Sequence, residues 1–189
     1  MNSCYLQIGD IRWNTAAEGP GTRTAIWLQG CSINCLHCCN PHLQAFHGGT
    51  AWESAQLAEA IVRKGQPAIT LIGGEPLEQS LALERFITIF RSLAGAAADI
   101  WLFTGFSEQQ ITKRAQYAAV CRLCDIVIAG PYDHTQTPDP RAWIGSRNQT
   151  IQANTEQGRS FVPQWPQNTM HIDIEVRDTE VLINGWPLA

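Results

Sequence analysis

Short apolar runs alternate along the chain with longer segments whose apolar residues recur at helical spacing. The runs, rich in Ile, Val, Leu and Trp, lie at 24–28, 68–72, 100–103 and 126–128. The helical segments lie at 53–64, 78–93 and 107–118. This alternation is typical of βα units that build a largely parallel sheet. The pattern therefore predicts an α/β fold, and the length of 189 residues predicts a single domain over 1–189.

The last third of the chain is more polar and less periodic. Residues 131–167 are rich in Pro, Gln, Asn, Thr and Gly, which predicts that most of this stretch is a long loop over the mouth of the site. Apolar and polar residues then alternate over 171–176 and 181–183, on either side of the polar segment 177–180. That alternation predicts a C-terminal β-hairpin.

Each predicted strand is followed by a loop of unusual composition. The loops are a cysteine cluster after 24–28, Gly-Gly-Glu-Pro at 73–76, Thr-Gly-Phe at 104–106 and Gly-Pro-Tyr at 130–132. Ligands of parallel α/β folds bind at the carboxyl ends of the strands. We therefore expect these four loops to converge on one face of the protein.

Composition excludes several classes of partner. The formal net charge is −4 and no run of Lys or Arg occurs, so we expect no nucleic acid to bind. No apolar stretch approaches the roughly 20 residues that span a bilayer, and the N-terminus lacks the pattern of a signal peptide. We expect no association with a membrane and a cytoplasmic location.

The placement of the seven cysteines is uneven, since four of them fall between Cys31 and Cys39. An odd number of cysteines in a cytoplasmic chain indicates metal ligation or redox chemistry rather than a disulfide framework. Cys4, Cys121 and Cys124 lie near apolar segments, and we expect them to serve as small core residues.

Cys31, Cys35 and Cys38 form a C-x3-C-x2-C pattern that ends before a helix-breaking Asn-Pro. Thiolates are the usual ligands of iron–sulfur clusters, and three local ligands would leave one iron of a [4Fe–4S] cluster open to another molecule. Three cysteines on one helix face are a poor alternative, because Gly and Asn-Pro interrupt any helix here. A zinc site stays open, since it could be completed from His37, Cys39, His42 and His47.

The cysteine pattern resembles the signature of the radical S-adenosylmethionine (SAM) superfamily, and Gly-Gly-Glu at 73–75 resembles that superfamily's GGE motif. The segments 19–23, 39–41, 104–106 and 145–149 are similar to those of proteins that activate glycyl radical enzymes, above all anaerobic ribonucleotide reductase. The resemblance runs from about Glu18 to Gln149. It implies a partial (βα) barrel of the radical SAM type.

The same resemblance implies the cofactors and partners. Cys31, Cys35 and Cys38 would bind a [4Fe–4S] cluster whose fourth iron chelates SAM, and reductive cleavage of SAM would form a 5′-deoxyadenosyl radical. Residues implied to contact the cofactor are His37, Cys39, Asn40, Gly73, Gly74, Glu75, Pro76 and Thr104. The implied partners are a glycyl radical enzyme and an electron donor such as flavodoxin or ferredoxin.

Two departures from the activase pattern leave the substrate open. Ala129 stands before Gly130 where activases usually have Asp, and the stretch at 144–149 lacks their arginine at its first position. These changes concern the substrate more than the cofactor. The alternatives are a stand-alone radical SAM enzyme that modifies a peptide or small molecule, and a non-enzymatic zinc or iron–sulfur module.

Overall fold

The computed structural model describes residues 4–169, 171–176 and 181–185. Its strands are β1 (Tyr5–Thr15), β2 (Arg23–Leu28), β3 (Thr50–Glu53), β4 (Ala68–Gly73), β5 (Asp99–Thr104), β6 (Ile126–Ala129), β7 (Thr150–Ala153), β8 (Ile172–Val176) and β9 (Val181–Gly185). Its α-helices are α1 (Ser54–Arg63), α2 (Ser80–Ala94), α3 (Glu108–Thr112), α4 (Ala115–Arg122) and α5 (Glu156–Phe161). The four predicted strands are confirmed as β2, β4, β5 and β6.

The first seven strands form one mixed sheet in the order β3-β1-β2-β4-β5-β6-β7. The four central strands, β2, β4, β5 and β6, are parallel. β1 and β7 pair with them antiparallel, and β3 pairs antiparallel with β1. Every residue of β2 and β6 is buried, as expected for strands covered on both faces. The α/β class is confirmed, although the sequence pattern missed β1, β3 and β7.

The predicted helix at 107–118 is divided in two. Arg114 has an extended backbone between α3 and α4 (φ −119°, ψ 102°). The predicted helices at 53–64 and 78–93 correspond to α1 and α2, and a short 3₁₀ turn, Pro76–Gln79, precedes α2. The expected helical content is therefore confirmed, with a break inside the third segment.

The sheet has an apolar core on each face. One core packs α1, α2 and α4 against the sheet and includes the buried thiols of Cys121 and Cys124, which confirms their expected role. Cys4, expected in the same role, is only half-buried and lies outside this core. The other is an aromatic cluster around Trp101, covered by Trp165 from the far end of 131–167. That segment contains β7 and α5, but most of its residues lie outside helices and strands, which confirms the expectation that most of it is loop. Its apolar residues, although widely spaced, cover the second face.

The parallel register brings the four distinctive loops to one edge of the sheet. Leu28 pairs with Gly73, and Thr104 pairs with Ala129, so β2, β4, β5 and β6 end at the same level. At the opposite edge the buried Arg23 guanidinium donates to the Ile69 carbonyl at 2.9 Å. The expected convergence of the loops is confirmed.

The C-terminal hairpin is also confirmed, as β8 paired antiparallel with β9. Its predicted turn, 177–180, lies outside the described residues. Among the helices of the described part of the chain, none is both long and apolar enough to cross a membrane.

Candidate functional site

The loop that follows β2 carries the cysteine cluster and has an irregular backbone. We call residues 31–39 the cysteine loop. It contains no helix, and Asn34 (φ 52°) and His37 (φ 59°) both adopt the left-handed conformation. These two residues reverse the chain, so that the three thiols of Cys31, Cys35 and Cys38 are half-buried and line one cavity. The alternative of a cysteine stripe on a helix is excluded.

Backbone hydrogen bonds fasten the start of the cysteine loop to the segment that follows it. The N–H of Gly30 donates to the Leu43 carbonyl at 2.8 Å, and the N–H of Cys31 donates to the Gln44 carbonyl at 2.9 Å. The chain therefore leaves β2, forms the cysteine loop and returns beside its own starting point. This closure fixes the first thiol relative to the sheet.

The buried Gln29 and the partly buried Gln79 support the loop, and no sequence motif singled out either residue. The Gln79 amide donates to the carbonyls of Gln7 (2.8 Å) and Gln29 (2.9 Å) and accepts from the Gln7 N–H at 2.7 Å. The Gln29 amide donates to the Ala45 carbonyl at 2.6 Å. These bonds satisfy backbone groups where β1 and β2 separate, which a buried polar side chain must do to be tolerated.

The three thiols receive backbone N–H groups as hydrogen-bond donors. These come from Ile33 within the loop, from Tyr132 after β6 and from Asn40. Across the described residues no three His, Cys, Asp or Glu side chains lie close enough together to hold a single metal ion. Three separate thiols with N–H donors are the ligand type of iron–sulfur clusters, whose cysteines bind different irons. The donor set fits such a cluster.

The thiols differ in acidity. Burial raises the pKa of Cys31 and of Cys35. The Cys39 thiol donates a hydrogen bond to the Cys38 sulfur, which lowers the pKa of Cys38 to about 6 and raises the pKa of Cys39. Cys38 is therefore the most readily ionised of the three thiols, and thiolate is the form that binds metal.

The cavity beside the cysteine loop has a volume of about 780 Å³, in the range typical of small-molecule sites. It lies at the carboxyl ends of the parallel strands. Nine of the predicted site residues line it: Cys31, Cys35, Cys38, Cys39, Asn40, Gly73, Gly74, Glu75 and Thr104.

Close packing explains the two consecutive glycines at 73 and 74. A Cβ on Gly73 would lie 2.5 Å from the backbone nitrogen of Leu28, and the φ of Gly73 is +117°. A Cβ on Gly74 would lie 2.5 Å from the Gly30 carbonyl oxygen. A side chain at either position would push the turn away from the start of the cysteine loop.

Glu75 connects this turn to the loop after β5. Its carboxylate is fully buried and accepts hydrogen bonds from Thr104 Oγ1 (2.8 Å), from the Gly105 N–H (2.7 Å) and from the Leu77 N–H (2.9 Å). Burial raises the pKa of Glu75 to about 7, and the three donors oppose that rise. Thr104 therefore both shapes the turn and lines the cavity.

Two predicted site residues lie outside the cavity lining. His37 is exposed, and its ring contacts that of His134 edge to face, with centroids 4.5 Å apart. Pro76 is buried at the first position of the 3₁₀ turn, where it fixes the backbone.

Glu18 is a cavity residue that the sequence reasoning did not single out. It is an acid in a mostly apolar wall, and burial raises its pKa to about 8. The negative charge of Asp173 on β8 adds to the rise, and the positive charge of Arg23 opposes it. Glu18 follows β1, a strand that the hydrophobic pattern also missed, and it stands directly before the segment 19–23, outside the motifs that the resemblance offered.

Comparison with known proteins supports an iron–sulfur cluster in this chain. Residues 17–152 match the family model described as "4Fe-4S single cluster domain". An anaerobic ribonucleoside-triphosphate reductase-activating protein of Haemophilus influenzae is 28% identical over 141 residues, covering 71% of this chain and 89% of that protein. Proteins of the same name from Pasteurella multocida and Enterobacteria phage T4 are each 26% identical, over 146 and 144 residues, covering 74% of this chain and 92% and 88% of those proteins. The chain belongs to the family of 4Fe-4S single cluster domains.

Proposed function

We propose that this chain is a single-domain radical SAM enzyme that activates a glycyl radical enzyme, anaerobic ribonucleotide reductase. The observation that carries the proposal is the cavity at the carboxyl edge of the parallel strands, which is lined both by three thiols and by the Gly-Gly-Glu turn. The names of the relatives support the same role. In this proposal the seven-stranded sheet is the partial (βα) barrel of that superfamily.

Cys31, Cys35 and Cys38 would hold the [4Fe–4S] cluster. Each thiol faces the cavity and receives a backbone N–H, which favours the thiolate that iron requires. A bound and reduced cluster would supply the electron for reductive cleavage of SAM, the chemistry by which a hydrogen atom would be removed from a glycine of the substrate. An external donor such as flavodoxin or ferredoxin would supply that electron.

The remaining lining residues would bind and orient SAM. Gly73 and Gly74 allow backbone to approach the ligand closely because they have no side chain. The buried Glu75 carboxylate holds the Gly-Gly-Glu turn against the loop after β5 through its hydrogen bonds. Thr104, Cys39 and Asn40 line the same cavity. His37 and Pro76, also proposed as cofactor residues, would act from just outside the cavity. All seven cysteines are free thiols, which suits a reducing cytoplasm.

The test is a cluster reconstitution under anaerobic conditions. The chain is loaded with iron and sulfide, reduced, and assayed by chromatography for 5′-deoxyadenosine formed from SAM. Cys35→Ala should abolish the product. Cys4→Ala, which removes a half-buried thiol outside the cavity lining, is the matched control and should retain it. Wild-type protein that forms no cluster and no 5′-deoxyadenosine would refute the proposal.

The partner is tested separately. Reconstituted protein is mixed with the anaerobic ribonucleotide reductase of the same organism, and the glycyl radical is followed by electron paramagnetic resonance. A radical signal that depends on SAM and on Cys35 supports the activase. SAM cleavage without any radical on the reductase would favour the stand-alone radical SAM enzyme, which the altered stretch at 144–149 kept open.

A further inference from the structure

The C-terminal hairpin packs on the protein through its polar face. Asp173 of β8 accepts hydrogen bonds from the Thr15 hydroxyl and, at 3.2 Å, from the Ala16 N–H. Asn184 of β9 donates to Thr15 Oγ1 at 2.9 Å. Glu175 forms an ion pair with Arg12 at 3.6 Å. In most hairpins the apolar face contacts the core, so this orientation is inverted.

The inverted orientation exposes a strip of aliphatic side chains. Successive residues of a strand point to opposite faces, so the residues between the polar anchors share the other face. Ile174 is 65% exposed and Ile183, its cross-strand partner, is 68% exposed. The strip continues to Val176 (75% exposed) and Val181 (61% exposed).

The aliphatic strip is continuous with the cavity of the cysteine loop. Ile172, Ile174 and Ile183 all line that cavity, whereas Val176 and Val181 extend the strip beyond it. From Ile172 to Val176 the strand rises about 13 Å at roughly 3.3 Å per residue. A ligand on this strip therefore reaches from outside the protein into the site, over a length that about four residues of extended chain would span.

Trp143 borders the same end of the cavity and has two unusual features. Its φ is +62°, in the left-handed region that bulky residues avoid. Its indole Nε1–H is buried and has no hydrogen-bond acceptor within the part of the chain that the structure describes. The ring stacks on that of His171, at the base of the hairpin, with centroids 5.7 Å apart and planes 11° apart.

The positive φ of Trp143 and its unpaired indole N–H both destabilise the folded state. A buried donor without an acceptor and a strained backbone persist where a ligand or a function requires them. Trp143 is one of the residues that line the cavity, so an acceptor on a ligand could satisfy the donor once the ring turns toward it. The position of Trp143 and the exposure of the hairpin are independent observations about the same wall.

We propose that this wall binds an extended, uncharged segment of the substrate polypeptide. Aliphatic side chains of the segment pack on Ile174 and Ile183, and one of its backbone carbonyls accepts a hydrogen bond from Trp143 Nε1–H. The inference rests on the proposed function in that the substrate is a protein. An aliphatic strip beside an N–H donor suits an apolar peptide strand, which supplies both aliphatic side chains and a carbonyl acceptor.

The test measures binding of the anaerobic ribonucleotide reductase of the same organism to the cluster-loaded protein, without air. The first variant combines Ile174→Ser with Ile183→Ser, and the second is Trp143→Phe, which keeps the ring and removes the N–H. The matched control is Leu81→Ser, which changes a residue of α2 that is 59% exposed. We expect the Kd for the reductase to rise at least tenfold in the double variant and about fivefold in Trp143→Phe, and to be unchanged in the control.

The outcomes separate the inference from the function on which it rests. Wild-type affinity in both hairpin and Trp143 variants would overturn the subsite and leave the activase proposal intact. Equilibrium dialysis measures the affinity of the Trp143→Phe variant for SAM. If this variant binds SAM more weakly but binds the reductase as the wild type does, the indole N–H belongs to the SAM site and the peptide subsite is overturned. A wild-type protein that neither binds nor activates the reductase would contradict both proposals. Equal melting temperatures exclude misfolding as the cause of weaker binding.

Discussion

The substitution Glu75→Gln should change how the stability of the protein depends on pH. The Glu75 carboxylate is fully buried, and its three hydrogen-bond donors come from the turn after β4 and from the loop after β5. Burial raises its pKa from 4.5 to about 7. Because the acid is weaker in the folded chain than in the unfolded chain, the folded state binds the proton more tightly.

The sign and size of the effect follow from that difference. The stabilisation from Glu75 protonation is fully present below about pH 4.5 and is lost as the pH rises through about 7. One pKa unit corresponds to about 1.4 kcal/mol. Between about pH 5.5 and about pH 8, this single group should lower the free energy of unfolding by about 2 kcal/mol.

Glutamine cannot titrate, so the variant should lose this dependence on pH. Its amide can accept from Thr104 and Leu77 through Oε1, which places its NH₂ group opposite the Gly105 N–H. A buried N–H without an acceptor costs about 1–3 kcal/mol. The variant should therefore be less stable than the wild type near pH 5.5, and the two stabilities should converge near pH 8.

Urea unfolding followed by tryptophan fluorescence, at several pH values and without air, measures both quantities. Glu59→Gln, which removes an exposed carboxylate from α1, controls for the loss of one negative charge. The reasoning is refuted if Glu75→Gln loses as much unfolding free energy as the wild type between pH 5.5 and pH 8.

Three further predictions concern the supports of the site. Gly74→Ala puts a methyl group 2.5 Å from a backbone carbonyl of the cysteine-loop entry, so iron bound after reconstitution should fall by more than half. Gly65→Ala introduces backbone strain at a φ of +72° but its methyl group meets no atom within 4 Å, so this variant should bind as much iron as the wild type. Gln79→Leu removes three hydrogen bonds to backbone at the ends of β1 and β2 and should lower the unfolding free energy by about 2–4 kcal/mol; a urea midpoint equal to that of the wild type would contradict this. Thr15→Val removes the hydroxyl that donates to Asp173, so limited proteolysis should cut the hairpin faster than in the wild type, and an unchanged rate of cleavage would contradict the anchoring role.

The sequence was informative where one physical requirement dominates a segment. Strands β2, β4, β5 and β6 are buried on both faces, and continuous apolar runs in a sequence predict such strands. The order of strands and loops then predicted that the cysteines and the Gly-Gly-Glu turn meet, because parallel strands end at one edge. The outer strands were missed, since β1 is half-exposed and mixes charged, polar and apolar residues.

The supports of the cysteine loop could not be predicted in this way. Gln29 and Gln79 are 50 residues apart, and the importance of each depends on unpaired backbone groups that exist only in the folded chain. The orientation of the hairpin likewise depends on contacts that exist only in the folded chain. Alternation alone predicts that one face is buried, and here the bonds from Thr15 to Asp173 and Asn184 decide that it is the polar one.

The two departures from the activase pattern, at Ala129 and at 144–149, lie in different surroundings. Ala129 packs in the apolar core shared with the helices and does not line the cavity, so its small side chain suits its surroundings. The stretch at 144–149 instead closes on the site: the Gln149 amide donates to the Gly130 carbonyl at 3.0 Å and accepts from the N–H groups of Gly145 and Ser146 at 3.0 and 3.1 Å. Gln149 thus holds the loop after β6 without a carboxylate there. Because Trp143 precedes this closed loop, the hydrogen bonds of Gln149 also help to hold Trp143 at the cavity wall.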